Sequence, residues 1–182
     1  MESREDDILR LFFDEPTREW HFEEIVREAK MARSKADAWL KRLIKENLVK
    51  RVKERKKMPH YISNYKASDY QNRKRLFALG MLYDSGLLNH LTSLQKARTV
   101  IIFGSFARWD WHKKSDIDVF VYGDTEGLSI GKYELKLHRD IEMFAAKDKD
   151  DIRKFGPGLV KNIIKGYVVK GELDFVEVNT DA

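Results

Sequence analysis

GSFARWDWHKKSDIDVF, residues 104–120, decides how the second half of the chain is read. Just before it, Thr99-Val100-Ile101-Ile102-Phe103 is a short run rich in β-branched residues, the composition of a buried strand. Gly104-Ser105 interrupts that run, and Phe106 to about Trp111 reads as a helical turn. Asp116-Ile117-Asp118-Val119-Phe120-Val121 then reads as a second strand. Its period of two puts Asp116 and Asp118 on one face and Ile117, Val119 and Val121 on the other. Two carboxylates so spaced can jointly hold a hard divalent cation, and Mg²⁺ takes oxygen ligands that it usually shares with phosphates. A strand that ends in glycine permits a sharp turn and the close approach of a ligand. The helix start that follows offers N–H groups and a partial positive charge to a phosphate, and Ser105 adds a hydroxyl. Carboxylates on one strand and phosphate-binding amides on the neighbouring turn describe a phosphoryl-transfer site.

Gly104-Ser105, ten intervening residues and Asp116-Ile117-Asp118 together resemble the signature of the polymerase-β-like nucleotidyltransferase superfamily. The longer text GSFAR…SDIDV is similar to its minimal nucleotidyltransferase branch. The resemblance covers about residues 97–146. It implies a mixed sheet with helices and the transfer of a nucleoside monophosphate from an NTP, with loss of pyrophosphate. It also implies Mg²⁺ (or Mn²⁺) on Asp116 and Asp118, and nucleotide contacts from Gly104, Ser105, Arg108 and Ser115. A third carboxylate normally completes such a site, as a metal ligand or a proton acceptor. LKLHRDIEMFAA offers Asp140 and Glu142 on one face of an expected strand. The family places this acid between hydrophobic residues, so Ile141-Glu142-Met143 fits it better than Arg139-Asp140-Ile141. Glu142 is the choice for catalysis and metal, and Asp140 the reserve.

Two features depart from the family. Its Ala-Arg step is usually followed by Gly, whereas Trp109 follows Arg108 here. A bulky residue alters that turn if the position needs positive φ. Trp109 and Trp111 read either as core-edge packing, the favoured reading, or as stacking platforms for a base or acceptor. Arg108 reads equally as a phosphate contact or as the partner of an acid, and His112 as a surface residue. Further on, Gly156-Pro157-Gly158 breaks the chain. Leu159 to Val169 then reads as an amphipathic helix that carries Lys161, Asn162 and Lys165, either toward the cleft or into solvent. Leu173 to Val178 reads as an edge strand.

In the first half, Ser3 and Asp6 resemble a capping box before the apolar stripe Ile8, Leu9, Leu11, Phe12 and Phe13. Trp20-His21-Phe22 is extended, Glu23-Glu24 starts a second helix, and a third runs from about Ser34 to Asn47. Val49–Arg55 and His60-Tyr61-Ile62 read as a hairpin with Lys56-Lys57 at its tip. Three short helices followed by a basic hairpin resemble the winged helix-turn-helix over residues 3–65, a family whose third helix enters the DNA major groove. Between Arg33 and Lys57, eleven Lys or Arg stand against Asp37, Glu46 and Glu54, a local net charge of +8. Such a stripe can be a nucleic-acid footprint or a solvated face. The DNA reading assigns Arg33, Ser34, Lys35, Lys41, Arg42, Lys45, Arg55, Lys56 and Lys57 to the interface. Base readout falls to Arg33, Ser34, Lys35, Asp37 or Lys41. From Asp69 to about Leu88 a largely apolar helix serves either as interdomain core or as the seam of a homodimer.

The fold class expected is mixed α+β. A winged helix-turn-helix domain at 1–66 and connecting helices at 67–96 precede a nucleotidyltransferase-like α/β domain with a mixed sheet at 97–182. With 42% hydrophobic and 12% aromatic residues among 182, the chain can bury a core. It has no cysteine, which excludes disulfides and thiolate metal sites. No apolar run approaches the roughly 18 residues that span a bilayer. The acidic start lacks the order of a secretory signal. A cytoplasmic protein is expected, with NTP and DNA as partners, no membrane association, and a protein among the acceptors that the resemblance allows.

Overall fold

The computed structural model describes residues 4–176, so Ser3 and its expected capping role lie outside the described residues. The chain forms two compact units: Met1–Leu79 with Trp111–Lys114, and Gly80–Asp110 with Ser115–Ala182.

The first unit begins with helix α1 (Arg4–Asp14), whose Ile8, Leu9, Phe12 and Phe13 are fully buried at the spacing of one helical face. Strand β1 (Trp20–His21) leads into α2 (Phe22–Glu28), and α3 (Arg33–Lys45) follows. Helix α3 buries Ala36, Leu40 and Leu43 and turns its charged residues outward. Asn47 in the left-handed region (φ 61°) ends this segment. Strands β2 (Val49–Val52) and β3 (His60–Ser63) then pair antiparallel, and β1 joins the far edge of β3, giving the order β1-β3-β2. Helix α4 (Ser68–Asp84) contributes its first twelve residues to this unit. It stops at Asp84 rather than at Leu88, because Ser85 and the left-handed Gly86 (φ 84°) turn the chain.

Trp111 is a core residue of the first unit. Its ring stacks on Phe77 (6.2 Å, 20°) and meets Phe13 edge-on, and it is completely buried. Buried Lys74 sits 4.5 Å from the same ring and donates to the carbonyls of Trp111 (2.5 Å) and Phe13 (3.0 Å). A buried ammonium is tolerable when oxygens and an aromatic face replace its water.

The second unit contains α5 (Leu87–Ser93), β4 (Ala97–Phe103), α6 (Gly104–Arg108), β5 (Ile117–Gly123), α7 (Gly131–Leu137), β6 (Ile141–Ala146), α8 (Lys149–Arg153), α9 (Pro157–Ile164) and β7 (Tyr167–Lys170). Its sheet has the order β6-β5-β4-β7 and is mixed: β5 and β6 run parallel, and the other neighbours antiparallel. The expected helix over 159–169 ends at Ile164. Gly166 and the β-forming Tyr167-Val168-Val169 turn the chain into β7, which is the edge strand. Residues 173–176 form no strand, and 177 and 178 lie outside the described residues. Leu135 to Leu137 belongs to α7, so β6 starts only at Ile141 and Asp140 precedes it. Among the described residues no helix is long and apolar enough to cross a membrane.

Candidate active site

Strand register assembles the site at one end of the second unit's sheet. Phe103, the last residue of β4, is the Cα partner of Asp118 on β5, and Asp118 is the partner of Glu142 on β6. Directly paired residues share a face, so Asp118 and Glu142 stand side by side, with Cα atoms about 5 Å apart. Asp116, two residues before Asp118, is exposed, as is Glu142.

Gly104 makes this arrangement possible in two ways. It adopts φ +68°, which L side chains rarely do. In addition, a Cβ built on it would lie 1.9 Å from Oδ2 of Asp118. The Asp118 carboxylate therefore rests directly over the Gly104 backbone, at the start of α6. Burial pushes the Asp118 carboxyl above its ordinary value, and the charges of Glu142 and then Asp116 add to that shift; Arg108 partly offsets it. The folded protein holds like charges together here at a cost, and a cation would relieve it.

Trp109, which follows Arg108 where the resemblance expects Gly, is itself left-handed. Trp109 caps α6 at φ 62° and donates its N–H to the Ser105 carbonyl. A non-glycine residue in that conformation costs about 1–2 kcal/mol. Arg108 is exposed and its Nε lies 3.2 Å from Asp110, so it pairs with an acid while also acting on Asp118 at longer range. His112 is exposed and accepts from the Lys114 amide.

Two positioning residues escaped the sequence reading. Arg139 donates to the Ser115 carbonyl (3.0 Å) and lies over the Phe106 ring (5.4 Å), which steadies the approach to Asp116. Glu134 accepts from the Ile141 amide (3.0 Å) and fixes the start of β6 next to Glu142. Neither falls in a motif, and only the fold brings them to the site. Asp140 is exposed, and its carbonyl accepts from Ile117. Its charge does not figure among the causes of the Asp118 shift.

Among the described residues no three His, Cys, Asp or Glu side chains form a ready metal cage. The donor set is all carboxylate oxygen, and Asp118 lies against the Gly104 turn. Mg²⁺ is commonly held by one or two carboxylates together with substrate phosphates, so these residues fit it.

A family model described as polymerase beta, nucleotidyltransferase matches residues 87–178, just over half of the chain. The chain belongs to this family. No curated protein matches it. The nucleotidyltransferase match covers β4 through β7, and therefore every element of the site above.

The basic surface of the first unit is built differently. Arg33 pairs with Glu23 (2.7 Å), Lys41 with Asp37 (2.7 Å), Arg42 with Glu46 (2.7 Å) and Lys57 with Glu54 (2.5 Å). Ser34, Lys35, Lys45, Arg55 and Lys56 are exposed. A cleft of about 650 Å³ between α3 and the hairpin has Phe22, Met58 and Tyr61 on its walls together with Glu19, Glu23 and Asp37. Those acids disfavour an anion within the cleft.

Proposed function

We propose that the chain is a Mg²⁺-dependent nucleotidyltransferase that moves a nucleoside monophosphate from an NTP to an acceptor. The observation that carries this is the Asp118 carboxylate seated over Gly104 and beside Glu142. Asp116 and Asp118 would hold Mg²⁺, which would neutralise the charge that builds during phosphoryl transfer, and Glu142 would be a third ligand or would take the acceptor's proton. Backbone amides of the Gly104–Ser105 turn orient the polyphosphate, with Ser115 and Arg108 at its margin. The acceptor oxygen attacks the α-phosphorus in line, the bond to the bridging oxygen breaks, and pyrophosphate departs. Arg139 and Glu134 keep the two acidic strand starts in place.

The first unit is read as a winged helix-turn-helix module. Its order of three helices and an antiparallel hairpin, and the exposed Lys35, Lys45, Arg55 and Lys56, support contact with DNA. A second reading, a DNA-binding transcriptional regulator whose nucleotidyltransferase-like domain senses nucleotide or is catalytically vestigial, is favoured by one observation: the strained Trp109 at the turn between phosphate loop and acidic strand. Incubation with labelled ATP, GTP, CTP or UTP and Mg²⁺ separates the two. A catalyst releases pyrophosphate, and Asp116→Asn with Asp118→Asn stops it. Nucleotide binding without release in the wild type selects the sensor, and release that survives both substitutions removes the site.

A further inference from the structure

Glu134 fixes the start of β6 beside Glu142, and a histidine on another helix holds the start of α7, the helix that carries Glu134. His90 lies in α5, and its Nε2 accepts the Ser129 amide at 3.0 Å, two residues before α7 begins at Gly131. The His90 ring also meets the ring of buried Tyr133, in the first turn of α7, with centroids 5.1 Å apart and planes tilted by 30°. Tyr133 adjoins Glu134 in the chain. One imidazole therefore grips both the segment that enters α7 and the turn that carries Glu134.

That grip depends on the protonation state of the ring. A backbone amide can only donate, so Nε2 is unprotonated and neutral His90 carries its proton on Nδ1. A second proton turns the acceptor into a donor that faces a donor. Burial, and then the charge of Lys132 on α7, hold His90 below its ordinary value of 6.5. The other cations of the packed elements are engaged: Lys136 of α7 donates to the Ser85 carbonyl and Lys170 of β7 to the Leu94 carbonyl. The acids of these elements are Asp84 ahead of α5, Asp124 and Glu126 ahead of Ser129, and Glu134 on α7. None of them figures among the causes of the His90 shift. Glu126 pairs with Lys96, and Glu134 accepts the Ile141 amide. The fold thus favours neutral His90, whose contribution is full above the ordinary value and is lost as pH falls through the lower folded one.

We propose that His90 is a proton-sensitive positioning residue: neutral, it clasps Ser129 and Tyr133 and keeps Glu134, and with it the start of β6 at Glu142, in place; protonated, it lets go. The clasp acts on the acidic site through α7 and touches no reacting atom. Its effect on turnover rests on the nucleotidyltransferase reading above, whereas the clasp itself stands on the contacts of His90.

Amide hydrogen exchange followed by NMR at about pH 5 and about pH 7.5 tests it on the full chain, as wild type and as His90→Gln. The glutamine side-chain oxygen can accept the Ser129 amide where Nε2 does, and it does not titrate. In the wild type the protection factor of the Ser129 amide should fall about fivefold or more on acidification, with the midpoint at which the His90 ring signals titrate. In His90→Gln it should change less than about twofold. The ratio of pyrophosphate release by His90→Gln to that by wild type should rise through the same midpoint, and a ratio cancels the titration of Asp118 common to both. Wild-type protection that ignores pH, a variant that loses protection as the wild type does, or a flat ratio overturns the proposal and leaves the nucleotidyltransferase reading intact. Absence of pyrophosphate release by the wild type at every pH overturns that reading instead, and the exchange data then decide the clasp alone.

Discussion

The acidic end of the second unit and the basic face of the first handle charge in opposite ways. On α3 and the hairpin, four of the expected cations sit within 2.7 Å of an acid, on exposed side chains where water relaxes what remains. At the ends of β5 and β6, Asp118 instead stands beside Glu142 and within electrostatic reach of Asp116, pressed over Gly104 with its proton affinity raised. A surface disperses its charge, whereas a site keeps like charges close and waits for a ligand to balance them. Stability is given up at the second place and hardly at all at the first.

The sharpest way to break this contrast is chemical. Losing both carboxylates in Asp116→Asn/Asp118→Asn removes several kcal/mol of transition-state stabilisation, so pyrophosphate release falls at least about 1,000-fold; a smaller loss moves the chemistry elsewhere. Next in size is Gly104→Ala. It must accept positive φ and displace the Asp118 carboxylate, and chemical denaturation should show a loss of about 2 kcal/mol or more. An unchanged midpoint would mean that the close approach is not maintained in solution.

The pH dependence follows from the burial of Asp118 and then from the acids beside it. The folded-state value of Asp118 lies above its ordinary 3.8. Protonation therefore favours the folded state, and that contribution is full below the ordinary value and lost as pH rises through the folded one. Without divalent cation, the melting-temperature advantage of Asp118→Asn over wild type should be greatest near neutral pH and shrink as pH falls toward 4. An advantage that grows on acidification contradicts the sign. The smallest effects belong to the basic face. Lys45→Ala and Lys56→Ala should each lower the salt slope of DNA binding by about 1, while Lys41→Ala, already paired with Asp37, lowers it less. Slopes untouched by Lys45 and Lys56 leave the stripe a solvated face.

Much of this site was legible in the sequence because it is local. The β-branched run before Gly104 and the alternation after Asp116 each fix a strand and a face. What could not be read is what pairing decides. Glu142 is set beside Asp118, and Asp140 ahead of its strand, by the register of β5 with β6 and by the Glu134 contact to Ile141. Trp109 and Trp111, two residues apart, differ most: one strains a turn half-exposed, and the other is buried core of the first unit. No spacing rule separates them, since Phe13, Phe77 and Lys74 are all distant in sequence. The edge strand lies at 167–170 rather than at the expected 173–178, because the apolar run after α9 suits helix and strand alike and the Gly166 packing that decides it is tertiary.

The central claim is that Asp118 is held in electrostatic strain which a nucleotide-bound cation relieves. Thermal melting at neutral pH, of wild type and Asp118→Asn, in EDTA and with Mn²⁺ and ATP, tests it most directly. The expected result is an Asp118→Asn variant that melts above wild type in EDTA. Mn²⁺ and ATP should then stabilise the wild type, by about 2.7 kcal/mol at a hundredfold excess over Kd, and leave the variant almost unmoved. A wild type indifferent to Mn²⁺ and ATP, or a variant stabilised equally by them, would contradict it.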